Sequence, residues 1–291
     1  MPEAALTADA QQPARESFGS RLAAAMLDRG PLCVGIDPHP QLLSDWGLND
    51  DVAGLERFSL SVVEAVASLA AAVKPQVALY ERHGSAGMAV LERTLAASAE
   101  AGVLTIADAK RGDIGSTMAA YADAWLRDGS SLAADSVTLS PYLGFESLRP
   151  ALELAAQYGR GVFVLALTSN PEGKSVQHVG GDQSVARRIV AAAAAENQRY
   201  EGSLGSVGLV VGATIGSALT DLDIELGPVR GAILAPGLGA QGATPADLRA
   251  TFADAYPQVL ATSSRGILAA GPSIAALRSA AGETLDGLRS E

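Results

Sequence analysis

Residues 103–117 read Val-Leu-Thr-Ile-Ala-Asp-Ala-Lys-Arg-Gly-Asp-Ile-Gly-Ser-Thr. An apolar, β-branched run ends at Ala107, charged residues follow, and a Gly-Ser pair leads into Met118–Leu126, where the apolar spacing is helical. The stretch therefore reads as strand, polar loop, helix. Residues two apart in an extended chain point the same way, so Asp108 and Lys110 project together from the strand end. Asp113 lies beyond them, on a loop or a first helical turn. Two carboxylates and an ammonium at the end of a buried strand are costly to desolvate. Clusters of this kind mark functional sites more often than they stabilise a fold.

The same unit recurs along the chain. Strand-like runs occur at Leu32–Ile36, Val73–Leu79, Val103–Ala107, Ser136–Leu139, Val162–Leu167, Val207–Val211, Ala232–Leu234 and Val259–Ala261. Helical segments lie between them, at Leu55–Ala71, Gly87–Ala99, Met118–Leu126, Ser147–Gln157, Val185–Arg199, Ile215–Leu222 and Pro245–Ala255. Thr244-Pro245 places proline at a first helical position. Strand-then-helix units repeated in this way predict an α/β fold, a (β/α)8 TIM barrel. Near-continuous apolar strands suit a parallel sheet covered on both faces. A two-domain Rossmann-like arrangement is the alternative, but no Pro/Gly/Ser-rich linker divides the chain. The expected organisation is a flexible extension over residues 1–15 and one barrel domain over residues 16–291.

Composition narrows the function. The 291 residues carry a net charge of -11, which argues against a nucleic-acid-binding surface. An anionic ligand would need a local pocket of basic groups set against that field. The single cysteine, Cys33, rules out an intrachain disulfide and fits a reducing compartment. The first residues lack the apolar core of a signal peptide, and no stretch approaches the roughly 18 apolar residues of a membrane span. A cytoplasmic protein without a membrane partner is expected.

Barrel active sites lie at the C-terminal ends of the strands. Asp37-Pro38-His39-Pro40 follows the first run, and Asp108, Lys110 and Asp113 follow the third. Ser140-Pro141-Tyr142 follows the fourth and Thr168-Ser169-Asn170-Pro171 the fifth. Lys74 falls near the start of the second run, and reaches the barrel mouth only if that strand starts later or ends earlier than its apolar pattern suggests. The last two loops, Pro236–Gly242 with Gln241 and Ser263–Gly266 with Arg265, form a second signal. Barrels often hold phosphate there, on backbone N–H groups and a guanidinium fork. Gly237, Gly239 and Gly242 also fit the dinucleotide pattern G-x-G-x-x-G, but the next strand ends in Thr262-Ser263-Ser264-Arg265 rather than in the acidic residue that pattern requires. His39, His83 and His178 have no metal-ligand spacing. The glycine-containing segment 170–182, with Lys174, is a candidate lid.

Asp108-Ala-Lys110-Arg-Gly-Asp113-Ile114-Gly115 resembles the D-x-K-x-x-D-I signature of the orotidine 5′-phosphate decarboxylase family. The segments 236–242 and 263–266 look like that family's phosphate loops. Val34-Gly-Ile-Asp37-Pro and Leu167-Thr-Ser169-Asn-Pro resemble its longer, type 2 branch, common in mycobacteria and related bacteria. The resemblance spans residues 16–280. It implies a dimeric barrel converting orotidine 5′-monophosphate to uridine 5′-monophosphate with neither metal nor organic cofactor. Under it, Lys110 is the proton donor, with Asp108 and Lys74 in an alternating charge network. Asp113, Ile114 and Thr117 would come from the partner subunit of a homodimer. Asp37 would bind the ribose and Ser169 the pyrimidine edge, while Gln241 and Arg265 would hold the phosphate. The rival readings are a magnesium-dependent sugar-phosphate enzyme using Glu81 as an extra ligand, an NAD-dependent oxidoreductase, and a non-catalytic nucleotide-binding protein on the same barrel.

Overall fold

The computed structural model describes residues 15–239 and 242–290. Eight parallel strands close into a barrel in chain order. They are β1 (Leu32–Ile36), β2 (Ala72–Pro75), β3 (Leu104–Arg111), β4 (Ser136–Leu139), β5 (Gly161–Leu167), β6 (Gly205–Val211), β7 (Gly231–Pro236) and β8 (Val259–Ser263). A helix, α1 (Phe18–Arg29), precedes β1. The main helices after each strand are α2 (Val52–Val66), α3 (Gly84–Glu100), α4 (Gly115–Leu126), α5 (Arg149–Gln157), α6 (Val185–Asn197), α7 (Ala218–Asp221), α8 (Pro245–Phe252) and α9 (Ile274–Arg289). The expected barrel is the observed fold.

Local chemistry sets these boundaries. The Asp51 side chain caps α2 by accepting the Gly54 N–H. Thr244 and Asp247 form a reciprocal capping box at α8, with Pro245 in the first turn as expected. At β2 the apolar run 73–79 does not stay extended. The strand stops at Pro75, and Val77–Glu81 coils into a short helix. Proline offers no N–H to continue the ladder. Lys74 thus stands at the C-terminal end of its strand, at the barrel mouth. β3 departs in the other direction, running past Ala107 through Asp108 and Lys110 to Arg111.

Two hydrophobic layers hold the structure. One lies between strands and helices and includes Val34, Ile36, Val73, Val137 and Val164. The other fills the barrel, with Cys33, Ile106, Phe163, Leu234 and Leu260, and takes in Phe18 and Leu22 of α1. The Phe18 ring meets Phe163 edge to face at 5.9 Å. With α1 plugging the end where the strands begin, the opposite end is left open for a site. Residues 1–14 of the expected extension lie outside the described residues. Arg15 is bound to the barrel, donating to Asp128 at 3.0 Å and to the Tyr158 carbonyl at 3.1 Å.

Candidate active site

Strand register gathers the charged residues. Gly35 of β1 pairs with Lys74 of β2, and Gln76 bridges to Asp108 of β3, so consecutive strand tips present Lys74 and Asp108 side by side. Lys74 Nζ donates to Asp108 Oδ2 at 2.7 Å, and Lys110 Nζ donates to Asp108 Oδ1 at 2.6 Å. The Thr138 hydroxyl donates to that same Oδ1 at 2.9 Å. Three donors therefore converge on one carboxylate that is 10% exposed. Burial works against the Asp108 charge, but Lys74 and then Lys110 outweigh it and hold the carboxyl below the usual carboxylate range. Burial likewise opposes the Lys74 ammonium, but Asp108 and Asp37 outweigh it and raise the group above the usual lysine range. Both groups are therefore charged at neutral pH. Cys33 lies close by, and burial pushes its thiol up to about 12, which keeps it protonated.

Lys74 and Asp108 of this network form one wall of a cavity of about 320 Å³, and Lys110 stands behind Asp108. Asp37, Lys74, Gln76, Asp108, Ser264 and Arg265 line it, with Gly237 and Leu238 from the β7 loop. Gly35 is required beneath it. A Cβ there would lie 1.9 Å from Ser264 Oγ and 3.2 Å from Asp37 Oδ2, so only glycine lets these two side chains approach β1. Asp37 Oδ1 and Gln76 Oε1 are buried without a hydrogen-bond partner among the described residues. Arg265 lines the cavity and forms no ion pair among the described residues. Beside it, the β7 loop turns through Gly237, Gly239 and Gly242 at φ values of 125°, 79° and 96°. These are left-handed values that favour glycine and bring the backbone close to a ligand. The cavity thus joins buried charge on one side to a guanidinium on the other that has no ion-pair partner among the described residues. That suits an anionic, polyhydroxylated molecule.

The structure unites Asp37, Lys74, Asp108, Lys110 and Arg265. Gln241 lies outside the described residues. Ser169 is exposed on the β5 loop and does not line the cavity. Asp113, Ile114 and Thr117 stand at the start of α4 and line no part of it within one chain. The Asp113 carboxylate accepts the Ile114 N–H at 2.8 Å, and Ile114 is 61% exposed. Glu81, the extra ligand of the magnesium-dependent alternative, accepts from Arg111, whose guanidinium lies over Tyr121 and Trp125. The candidate lid forms short helical turns at Pro171–Gly173, Lys174–Gln177 and Gly181–Gln183. Gln177 brackets Thr168 by accepting its N–H at 2.9 Å and donating to its hydroxyl at 2.7 Å. Sequence reasoning missed Gln76 and Thr138. Thr138 carried a signal, since Ser136 and Thr138 are polar at the period-two positions of an otherwise apolar strand.

A model of the orotidine 5′-phosphate decarboxylase / HUMPS family matches residues 30–280. The chain belongs to this family. Orotidine 5′-phosphate decarboxylases of Streptomyces coelicolor and Salinispora arenicola are similar to it, at 57% identity over 268 residues and 56% over 276. These alignments cover 91% and 94% of this chain, and 95% and 98% of the relatives. A crystal structure assigned as an orotidine 5′-phosphate decarboxylase from Streptomyces avermitilis superposes with a TM-score of 0.91 at 57% identity, covering 96% of this chain and 97% of the other. The OMP decarboxylase of Leishmania donovani superposes with a TM-score of 0.74 at 32% identity, covering 94% and 97%. Family membership and the barrel-mouth geometry thus agree.

Proposed function

We propose that this chain decarboxylates orotidine 5′-monophosphate to uridine 5′-monophosphate and CO2, the last step of de novo pyrimidine nucleotide synthesis. The observation that carries the reading is the alternating Lys74–Asp108–Lys110 network at the strand tips, whose Lys74 and Asp108 line one cavity with Arg265. Family membership through residues 30–280 supports it.

Loss of CO2 breaks the bond between C6 and the substrate carboxylate, and its electron pair stays on C6. That pair lies in the ring plane, where π delocalisation serves it poorly. Lys110 stabilises it as a fixed ammonium and then transfers a proton from Nζ to C6, giving the product ring. The Lys110 side chain is 45% exposed, so solvent can restore the proton. Asp108 holds both ammonium groups in place before the reaction begins, and such preorganisation lowers the barrier without reorganisation at the transition state. Asp37 takes the ribose hydroxyls, and Ser169 reads the pyrimidine edge once its loop is engaged. Arg265, Gln241 and the glycine turn hold the phosphate, and binding energy from that remote group offsets the cost of placing the substrate carboxylate beside Asp108. On this reading neither metal nor organic cofactor takes part.

The active unit is a homodimer with shared sites. Supporting this, Asp113, Ile114 and Thr117 line no part of their own chain's cavity. Ile114, Tyr142 and Leu143 form exposed apolar surface near the mouth, at 61%, 78% and 54% exposure. The likeness of residues 34–38 and 167–171 to the type 2 branch supports reading the chain as one of its members, and the reading assigns it to the cytoplasm. No helix among the described residues is long and apolar enough to cross a membrane.

The direct test follows loss of orotidine 5′-monophosphate by absorbance, with Lys110→Ala alongside and EDTA in a parallel sample. Wild type turns over with and without EDTA, and Lys110→Ala loses about 10³-fold or more in kcat. No turnover by wild type would overturn the activity. An undiminished Lys110→Ala would overturn the role of the lysine, and abolition by EDTA the cofactor-free reading.

A further inference from the structure

β3 does not pair evenly with β4. Ala107 is opposite Val137 and Arg111 is opposite Leu139, so Asp108, Ala109 and Lys110 form a bulge that faces Thr138. Lys110 sits in this bulge with a φ of 47°, a left-handed conformation unfavourable for a residue with a side chain. Thr138 is 1% exposed and reaches into the bulge. Its Oγ1 accepts the Lys110 backbone N–H at 2.9 Å. An N–H can only donate, so the hydroxyl proton is free to point elsewhere, and it goes to Asp108 Oδ1 at 2.9 Å. The Lys110 ammonium donates to that same oxygen at 2.6 Å. Backbone, hydroxyl, carboxylate and ammonium thus close a ring that fixes both ends of Lys110.

We infer that Thr138 is a positioning residue for the decarboxylation, locking the β3 bulge so that the Lys110 ammonium stands at one fixed point facing C6. The inference rests on Lys110 as proton donor. Thr138 does not itself line the cavity. It acts through the Lys110 backbone and the Asp108 carboxylate. A purely structural role would make it a β-branched filler of the barrel interior, which valine would fill equally well, since valine has the same shape and lacks only the hydroxyl.

Thr138→Val, Thr138→Ser and Lys110→Ala in the full chain decide between these roles. The measurements are kcat and KM across pH, thermal unfolding, and calorimetric affinity for uridine 5′-monophosphate. The Val variant is expected to lose about ten- to a hundredfold in kcat, the worth of one hydrogen bond to a charged group. Its KM, product affinity and melting temperature stay close to wild type. The acid limb of its kcat profile moves to higher pH, because the ionised Asp108 has lost a donor. The Ser variant, which keeps the hydroxyl, recovers most of the rate and the wild-type pH profile. If the Val variant does not fold, Thr138→Ala carries the same expectation against Ser. A Val variant with wild-type kcat and pH profile overturns the inference, as does a Ser variant no better than Val. An active Lys110→Ala would instead overturn the lysine's role. An inactive Lys110→Ala beside an unimpaired Thr138→Val would overturn only the positioning role.

Discussion

The two walls of the cavity are built on opposite terms. On the β2–β4 wall every charged group already has a protein partner: Asp108 accepts from Lys74, Lys110 and Thr138. On the wall made by β1, β7 and β8 the groups stand open. Asp37 Oδ1 is buried without a partner, and Arg265 forms no ion pair among the described residues. Under the proposed function, the difference separates two tasks. Groups that must act on a developing charge are fixed beforehand, so that little rearrangement is needed at the transition state. Groups that hold a substrate keep their hydrogen-bonding capacity for it, and the energy they gain is used at the distant reacting bond.

Substitutions on the two walls should therefore leave different kinetic signatures. The largest effect is expected at the closed wall. Asp108→Asn keeps the volume but removes the charge that orients both lysines, and kcat should fall by about 10³ while affinity for uridine 5′-monophosphate persists. Steady-state kinetics and calorimetry check this. A change confined to KM would show that the walls are not divided in this way. At the open wall, Arg265→Ala removes a charged fork worth about 3 kcal/mol, so kcat/KM should fall roughly a hundredfold, mostly through KM. An unchanged kcat/KM would remove the β7–β8 loops from substrate binding.

A smaller effect tests whether a third wall comes from a second chain. Lys110→Ala and Asp113→Ala subunits, each inactive alone, leave one intact site in each mixed dimer of a two-fold assembly. After exchange to equal proportions, about a quarter of wild-type activity should return. Size-exclusion chromatography with a tagged subunit confirms that exchange has occurred. Exchange without recovered activity would confine each site to its own chain and leave Asp113 with a local role as acceptor of the Ile114 N–H.

The division between the walls also explains what could be read from the sequence. The barrel was legible because strands covered on both faces become apolar runs, as at Leu32–Ile36 and Ser136–Leu139, which match their observed limits. The Asp108–Lys110 pair was legible because its charges stand at the end of such a run. Lys74 was ambiguous, because the residues after it, Val77–Leu79, are as apolar as a strand but belong to a short helix. Periodicity over a few residues cannot separate the two, and Pro75 was the mark that could have decided it. Thr138 could not be assigned a role, because the bulge that turns Lys110 toward it arises from pairing between strands and not from local spacing. Ser169, Asp113, Ile114 and Thr117 carry family-like motifs, but within one chain they line no part of the cavity.

The smallest effect concerns stability and asks whether the closed wall is saturated in the folded protein alone. Asp108 is held below the usual carboxylate range when folded and returns to it, near 4, when unfolded. At pH values below about 4 the unfolded chain therefore binds more protons at this position than the folded one, and acid favours unfolding. The Lys74–Asp108 contribution is complete above the ordinary carboxylate range and is lost as pH falls through the folded value. Lys74, held above the usual lysine range, adds the mirror effect: its contribution is complete below about 10 and is lost only at still higher pH. Asp128, Asp50 and Asp247 are also lowered, so wild type alone does not isolate the site. The comparison with Asp108→Asn does. Urea unfolding between pH 3 and 6 should give a shallower fall in stability for Asp108→Asn than for wild type, since only its acid-labile carboxylate is missing. Equal slopes would mean that Asp108 gains nothing from its three donors without substrate, and the contrast between a preformed wall and an open one would fail at its central residue.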